Sequence, residues 1–509
     1  MTREYLTKRA LGSNHSALTL TLLVCLCCAA HLLLLDLPPI NWEFAFGEGA
    51  KYFSDGDPHH IEQYFAYEPN TLAVPWLTFA IGRLLPGFDI DHVARLVSFL
   101  GIPFLAYGLV RINRQMADKI NPNLLISLVL LNPLIWTFAG RGTADFLPAA
   151  LGVFAFSLFY RDEEKSRSQL WRVAWASTVL GLAAVVKYHA LLLLPGVAAE
   201  IAIRRRRQFT VMLIEWIIAA TPAMVVLGAY LLTVRIEFGF WLAPPPYVQM
   251  HGLALAEWPA NVLSYAGYLI LITIPLSLTI PWRTTPRSRS LFGAAILLLA
   301  VAFALGYFFL PDDGEMNLGP LDRYISKNFA NGALAMFSAI LPIRLTMGVN
   351  RPSAATKTTT LVLGLAATII LFILVLSPTR PSQRYLLFVI PLFYFFLPAP
   401  QRYRRAIIAA ALLFGVALNV YIILNQAASG IASEEMAQHI AALGLLSKTD
   451  PGPIEGNVGN LFFPYRNERK TFAVVAGDAG GSIAEVHYSA LPGVPFIGKS
   501  FSLVRLQPR

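Results

Sequence analysis

The sequence predicts an all-α polytopic membrane protein of about 13 transmembrane helices, with interfacial helices in the first outer loop and a small C-terminal α+β outer domain. Three observations predict this class. Charged residues make up only 14% of the 509 residues, whereas a soluble protein carries roughly a quarter. Apolar runs of about 16–22 residues recur along the chain, and about 20 residues cross the hydrocarbon as a helix. Basic residues also concentrate in alternate loops.

The apolar runs give the order of the predicted spans. Because a backbone in lipid must satisfy its own hydrogen bonds, each run is expected to be helical. The fifth and sixth runs are nearly continuous, with a break only near Lys187-Tyr188-His189. The predicted spans are residues 16–35, 92–110, 123–139, 146–160, 172–187, 189–203, 209–232, 260–281, 290–310, 329–345, 359–377, 385–400 and 406–425.

The distribution of charge predicts the orientation. With a cytoplasmic N-terminus, the inner loops hold about 23 basic residues and the outer side about ten, which is the asymmetry expected of a multi-pass protein of the cytoplasmic (inner) membrane. An odd number of spans then places the C-terminus outside. The net charge of +10 is thereby explained by topology, and no basic face on a soluble domain indicates nucleic-acid binding.

Three regions stand out from the predicted spans. The first outer loop, 36–91, mixes acids with aromatic residues, as amphipathic interfacial helices do. Within it, 70–86 is apolar but holds Pro75, Gly82 and Arg83, and we interpret it as an interfacial or re-entrant helix, with a true span as the alternative. A second outer loop covers 233–259. The sequence thus divides into a transmembrane domain, 1–425, and a small outer domain, 426–509, with strands near 470–477, 482–490 and 500–506.

Ionisable side chains recur at the outer ends of the predicted spans. Carboxylates together with cations on one membrane face favour an enzyme that handles a lipid-linked anion over a passive channel. Simpler explanations are solvated loop acids, an acid at a helix dipole, a snorkelling lysine and arginines that meet lipid phosphates nonspecifically. The candidates are Glu43, Glu48, Arg141, Asp145, Lys187, His189, Arg380 and Arg384.

Two further groups of residues offer metal-binding atoms. The first is Asp57, His59, His60 and Glu62, and the second is Asp312, Asp313 and Glu315. Neither has the spacing of a specific ligand pattern, so a divalent cation is an alternative to solvated loops. All three cysteines, Cys25, Cys27 and Cys28, lie in the first span, where packing is their expected role.

Several short stretches, in this order, resemble motifs of one family. Glu43 to Glu48, followed by Gly56-Asp57, is similar to its first-loop acidic motif. Arg141 to Asp145 is similar to its second acidic motif, Val186-Lys187 to its lysine motif and Arg384-Tyr385 to the start of a late span. Tyr67-Glu-Pro69, Pro75-Trp76-Leu77 and Ala94-Arg95-Leu96 add weaker matches. The chain therefore resembles the membrane glycosyltransferases of the GT-C fold, in the bacterial branch related to protein O-mannosyltransferases that includes the lipid A aminoarabinose transferase.

This resemblance implies an inverting transferase with a polyprenyl monophosphate sugar as donor. Its acceptor would be a glycolipid, polysaccharide or protein at the outer face. The resemblance implies that Glu43, or else Glu48, takes the acceptor proton and that Asp145 orients the acceptor or shares this role. Arg141, Lys187 and Arg384 would bind the donor phosphate. One departure is Trp42, which stands where the family has an aspartate beside the glutamate.

Two rival functions have the same general architecture. A flippase or transporter of lipid-linked sugars should carry ionisable residues near the middle of its spans. In this sequence most charges lie at span ends, with Glu215 as an exception near an inner end. A polymerase or ligase of surface polysaccharide would use a diphosphate donor, and the residue pattern alone does not separate it from the transferase.

Overall fold

The computed structural model describes most of the chain. The described residues are 18–19, 21–39, 42–67, 71–116, 120–160, 166–244, 255–279, 286–309, 326–349, 356–379, 382–397, 404–489 and 498–506. Asp312, Asp313, Glu315 and Arg380, four residues named above as candidates, lie outside them.

The described chain is mainly helical. In chain order the helices are α1 Thr21–Leu32, α2 Glu43–Asp55, α3 Pro58–Tyr67, α4 Ala73–Gly82, α5 Ile90–Phe99, α6 Gly101–Gln115, α7 Pro122–Leu130, α8 Pro133–Ala139, α9 Phe146–Phe159, α10 Ser166–Val186, α11 Leu194–Arg205, α12 Phe209–Phe238, α13 Trp258–Leu271, α14 Pro286–Phe309, α15 Lys327–Ser338, α16 Ile340–Val349, α17 Thr356–Leu376, α18 Ile390–Phe393, α19 Arg404–Ala442 and α20 Glu455–Phe462. Short 3₁₀ segments include Tyr188–Leu193, Leu276–Leu278, Gln383–Phe388 and Tyr394–Phe396.

Several of these helices begin where the sequence supplies a cap. Asp89 accepts a hydrogen bond from the backbone N–H of Asp91 at 2.8 Å and starts α5. Asn121 caps α7 in the same way, and Ser326 accepts from the N–H of Phe329 at the start of α15. These side chains satisfy backbone donors that a helix end leaves without partners.

The helices support a membrane-embedded protein. In the described part of the chain, Ile90–Gln115, Phe209–Phe238, Lys327–Met347 and Arg405–Ala442 are long and apolar enough to cross a membrane, and the bent pair α7 and α8 would make a fifth span. Other apolar helical stretches, such as α9 and Thr360–Leu376 within α17, are shorter. Among the described residues every predicted span overlaps helical segments, but several spans are broken, so the count of about 13 stays a prediction, as do the identity of the membrane and the orientation.

The described part of the segment 70–86 contains the short helix α4. Its ten residues cover about 15 Å, half the thickness of a hydrocarbon core. This length agrees with the interfacial or re-entrant interpretation and is too short for a single straight span.

The described residues form two compact units, one of which comprises 1–28, 101–136 and 145–415. Its helices pack closely in places: a Cβ added to Gly267 of α13 would overlap the backbone carbonyl of Leu334 in α15. The guanidinium of Arg344 is buried in α16 and donates to the carbonyls of Leu276 and Ser277, each at 2.7 Å. It therefore satisfies carbonyl groups of the short 3₁₀ turn beside it.

The other unit comprises 29–100, 137–144 and 416–509. It contains a four-stranded sheet of β1 Thr449–Asp450, β2 Phe472–Ala476, β3 Ala484–Ser489 and β4 Gly498–Arg505, in the order β1-β2-β4-β3. Strand β1 pairs in parallel with β2, and the other pairs are antiparallel. The three strands predicted from alternating residues are thereby confirmed. The predicted domain boundary at residue 425 stays a prediction.

One face of this sheet packs on a helix. Val474, Val486 and Leu503 point into a core that Met436 and Ile440 of α19 share. Side chains alternate across a strand, so every second residue reaches this core. This alternation explains why the strands were visible in the sequence.

Candidate active site

The first unit holds a cluster of buried polar side chains around Asp145, which we call the lysine cluster: Asp145, Lys187, His189, Arg384 and Tyr385. The ammonium of Lys187 donates to Asp145 Oδ1, and both side chains are 2% exposed. Arg384 Nη1 lies 3.9 Å from Asp145 Oδ2. Two cations therefore surround one carboxylate in a buried place, so the three groups carry a net positive charge.

Breaks in the helices position these side chains. Asp145 is the N-cap of α9, although its carboxylate turns to Lys187 and makes no cap hydrogen bond. At Lys187 the backbone leaves α10 in an extended conformation (φ −156°, ψ 122°), and a 3₁₀ turn follows. Arg384 lies in another 3₁₀ segment. These helix ends and breaks thus place charged side chains next to one another in the first unit, where unbroken apolar helices would carry none.

Aromatic rings complete the lysine cluster. The His189 and Tyr385 rings stack, with centroids 4.1 Å apart and planes 16° from parallel. Lys187 Nζ lies 5.3 Å from the Tyr385 ring centroid, and the Arg384 guanidinium carbon lies 5.7 Å from it. A ring face attracts cations at such distances. His189 Nδ1 is buried and has no hydrogen-bond partner among the described residues, which makes it a candidate donor or acceptor for a ligand.

The second unit holds Glu43 in what we call the glutamate clamp, made of Glu43, Arg95, Arg141 and the backbone N–H of Gly142. The N–H of Gly142 donates to Oε1 of Glu43 at 2.6 Å. Arg95 donates through Nε at 3.3 Å and Nη2 at 3.2 Å, and Arg141 donates through Nη1 at 3.5 Å. A carboxylate offers about four lone-pair sites, so these four donors fill them.

Further contacts hold the arginines of the glutamate clamp. Arg141 also donates to the carbonyl of Pro38 at 3.3 Å and to the side-chain oxygen of Gln426, and Arg95 donates to the carbonyl of Leu35. Burial lowers the pKa of Arg141 to about 10, an effect that Glu43 opposes and Arg95 reinforces. The two arginines that donate to Glu43 are thus themselves held by further hydrogen bonds.

Glu48 lies in the same helix, α2, but in a different setting. It accepts from Lys51 Nζ at 2.8 Å and lies 2.6 Å from His60 Nδ1. The other ring nitrogen of His60 is 3.3 Å from Asp55 Oδ2, and half of the Asp55 side chain is exposed. A chain of groups thus runs from the buried Glu48 through His60 to a carboxylate in solvent. We call Glu48, His60 and Asp55 the histidine relay.

Asp91 approaches α2 from the start of α5. Its Oδ1 occupies the space that a side chain at Gly47 would need. Burial alone would lower the pKa of Lys51, but Glu48, Asp91 and Asp89 outweigh burial and raise it. The part of α2 around Gly47 and Glu48 therefore lies among charges of both signs.

The predicted site residues thus separate into two groups. The structure brings Asp145, Lys187 and Arg384 together, and His189 joins them. It brings Glu43 and Arg141 together in the glutamate clamp and gives Glu48 other partners. The assigned roles of these residues stay predictions, because contacts alone do not identify catalysis.

Sequence reasoning gave no site role to Arg95, Lys51, Asp91 or Tyr385. Arg95 carried a signal, since it is a charged residue within the predicted span 92–110. His60 was considered only as a metal ligand. The structure instead pairs His60 with carboxylates, and Asp57 accepts from the backbone N–H of His59 at 2.9 Å. Within the described ranges, no three His, Cys, Asp or Glu side chains have the geometry of a metal site.

Comparisons with known proteins give a fold likeness only. No protein-family model matches the chain, and no curated protein matches it significantly. Four chains of solved structures match, among them ArnT from Cupriavidus metallidurans bound to undecaprenyl phosphate, with 13% identity, a TM-score of 0.36 and coverage of 95% of this chain and 97% of that chain. The apo state of the same protein gives 12% identity, a TM-score of 0.34 and the same coverage. Likeness at this level assigns neither an activity nor a ligand.

Proposed function

We propose that this protein is a membrane glycosyltransferase. It moves a sugar from a polyprenyl monophosphate donor to a hydroxyl group of an acceptor at the outer face of the cytoplasmic membrane. The acceptor is a glycolipid, a polysaccharide or a protein. The reaction inverts the anomeric configuration, because one displacement joins the acceptor to the sugar.

The observation that carries the proposal is the net positive charge of the lysine cluster. A buried charge is costly unless a partner compensates it. Lys187 and Arg384 both lie at the carboxylate of Asp145, and beside them His189 Nδ1 has no hydrogen-bond partner among the described residues. A phosphate monoester or diester supplies negative charge and acceptor oxygens, so it suits this place better than a neutral sugar does. Arg384 is the more exposed cation and is the better placed to meet a ligand.

Glu48 is our first choice for the general base. A base must have a free lone pair within reach of the proton that it takes. The four donors of the glutamate clamp occupy Glu43, whereas Glu48 has contacts to Lys51 and His60. We therefore assign Glu43 to holding Arg95 and Arg141 in place, with Glu48 as the proton acceptor.

The proposed step balances as follows. The acceptor hydroxyl oxygen attacks the anomeric carbon while the bond from that carbon to the phosphate oxygen breaks. The electron pair of the broken bond leaves with the polyprenyl phosphate, where Lys187 and Arg384 stabilise it. The hydroxyl proton passes to Glu48 and from Glu48 to Nδ1 of His60, while Nε2 of His60 releases its own proton to Asp55 and solvent. Asp145 holds Lys187 in the orientation that this requires.

A transfer assay tests the proposal. Purified protein in detergent is given a labelled short-chain polyprenyl phosphate sugar and a membrane extract as the source of acceptors. We expect labelled product with the wild type. Arg384→Ala should raise the KM for the donor about tenfold or more, because a charge-assisted contact to phosphate is lost.

Arg469→Ala is the matched control, since Arg469 is exposed. It should leave both kinetic constants unchanged. A wild type without product, across lipid, polysaccharide and protein acceptors, would overturn the proposed function. An Arg384→Ala variant with the wild-type donor KM would overturn the phosphate site.

The same assay separates the rivals. A flippase would move the lipid-linked sugar without a transfer product, and a polysaccharide polymerase would require a diphosphate donor.

Two ionisable side chains buried in helices, Glu215 and Arg344, have partners in the protein. Glu215 pairs with Arg204 and Arg205 at 2.9 Å each, and Arg344 binds carbonyls. These contacts favour a structural role over a transport path.

A further inference from the structure

A groove between α1 and α6 is lined by none of the residues of the lysine cluster, the glutamate clamp or the histidine relay. Its volume is about 530 Å³, and its walls come from α1 residues near Val24 and Cys25 and from one face of α6. All of these residues belong to the first compact unit. We call it the α1–α6 groove.

The α6 side of the groove changes from apolar to basic along the helix. Ala106 and Val110 line the apolar part, and Arg111, Arg114 and Gln115 line the end. These positions follow the spacing of one helical face. From Ala106 to Arg114 the helix rises about 12 Å, so the groove has an apolar stretch and a cationic end.

Arg111 is held in place at that end. Its Nε donates to the carbonyl of Ser157 at 3.0 Å, near the C-terminus of α9. This bond orients the guanidinium and does not use its two Nη groups. Arg114 is exposed one turn further on. Two arginines one turn apart make a fork that suits a phosphate group.

We propose that the α1–α6 groove binds one anionic glycerophospholipid. An acyl chain lies along Ala106 and Val110, and the phosphate meets Arg111 and Arg114. The occupant follows from the charge: a zwitterionic lipid would bring its own cation to the arginines. It also follows from the predicted topology, which puts residues 111–121 at the cytoplasmic surface, where anionic lipids and basic pockets between helices meet. This inference does not depend on the proposed function.

Lipid binding to the full-length protein tests the proposal. Native mass spectrometry of delipidated protein, titrated with phosphatidylglycerol or with phosphatidylcholine of the same acyl chains, gives the two dissociation constants. We expect one phosphatidylglycerol to bind at least about fivefold more tightly, since a basic residue at the surface contributes roughly that factor.

Two variants probe the two halves of the groove. Arg114→Gln removes one charge without touching the Ser157 contact, and Cys25→Trp fills the apolar part from an exposed position on α1. Each should weaken phosphatidylglycerol binding about fivefold or more, the first by lost charge and the second by lost space. Arg405→Gln, at an exposed arginine of α19, is the matched control and should bind as the wild type does. Elution at the wild-type volume in detergent checks that each variant is folded.

Three results would overturn the inference. Equal affinity for the two lipids would remove the selection for charge. Unchanged phosphatidylglycerol binding in both Arg114→Gln and Cys25→Trp would move the site elsewhere. Inorganic phosphate that displaces phosphatidylglycerol at equal concentration would show that the acyl chain contributes nothing.

Discussion

The ammonium of Lys187 and the carboxylate of Asp145 form an ion pair in which each side chain is only 2% exposed. Their positions are 42 residues apart in the chain, at the end of one helix and the start of another. Breaking a buried pair by removing one partner leaves a charge without compensation, and this is far more costly than removing both charges.

Asp145→Asn should therefore lower the free energy of unfolding by about 3 kcal/mol. The double variant Asp145→Asn/Lys187→Met should recover at least half of this loss, because the buried ammonium is removed together with its partner carboxylate and Arg384 is partly exposed. Unfolding in mixed detergent micelles measures both values. A double variant less stable than Asp145→Asn would contradict the interpretation. Neither variant should transfer sugar.

Glu43→Gln and Glu48→Gln should fail in different ways. Glu43→Gln exchanges an acceptor oxygen for a donor NH₂ group beside two arginines, so we expect a loss of about 2–3 kcal/mol of stability. Glu48→Gln should keep its stability within about 1 kcal/mol and lower kcat at least about a hundredfold, as expected when a general base is lost.

Glu62→Gln, at an exposed acid of α3, is the control for both changes. It should alter neither stability nor kcat. Full transfer activity in Glu48→Gln, together with loss of activity in a stable Glu43→Gln protein, would exchange the two roles and return the base to Glu43.

The histidine relay predicts a specific kinetic defect. His60→Gln keeps a polar group near Glu48 but cannot pass a proton between two carboxylates. We expect kcat to fall about tenfold or more while the KM for the donor stays constant. His59→Gln, one residue earlier and exposed, should behave as the wild type does. An increased donor KM with constant kcat in His60→Gln would assign His60 to binding and not to the proton path.

Two glycines in helices should respond oppositely to alanine. A Cβ at Gly267 would overlap the carbonyl of Leu334, so Gly267→Ala should destabilise by about 3 kcal/mol. Gly228 of α12 is exposed and has nothing within 4 Å of an added Cβ. Gly228→Ala should be neutral or stabilise by up to about 1 kcal/mol, because alanine favours helix. Equal effects of the two changes would contradict the close approach of α13 and α15.

The sequence predicts where helices form much better than where they break. Long apolar runs identify the helical segments, since few other structures satisfy a backbone in lipid. The break after Lys187 was indicated by the polar residues there. The sequence predicts one span over 385–400, yet its described residues, 385–397, fold as two 3₁₀ segments on either side of the short helix Ile390–Phe393. Within residues 385–397 the composition is apolar, Pro391 is the one proline, and the sequence gives little sign of these breaks.

At the candidate site the sequence identifies the charged residues but not their contacts. The sequence identifies acids and cations near the ends of spans, because charge is rare and conspicuous there. It does not show which acid pairs with which cation, since Glu43 meets Arg141 across 98 residues. Glu43 and Glu48 are the same residue type. Only their neighbours in the structure show that four donors occupy the Glu43 carboxylate and that Glu48 has fewer contacts.

The glutamate clamp also has a consequence for biosynthesis. Arg141 makes one of its contacts with Gln426, 285 residues later in the chain. At synthesis rates of about 5–20 residues per second, the ribosome needs some tens of seconds to cover that interval. During this time Glu43 and both arginines already exist without their last partner. During this period the nascent protein has its first outer loop but lacks the contact of Arg141 with Gln426. A chain that stops before residue 426 never forms this contact.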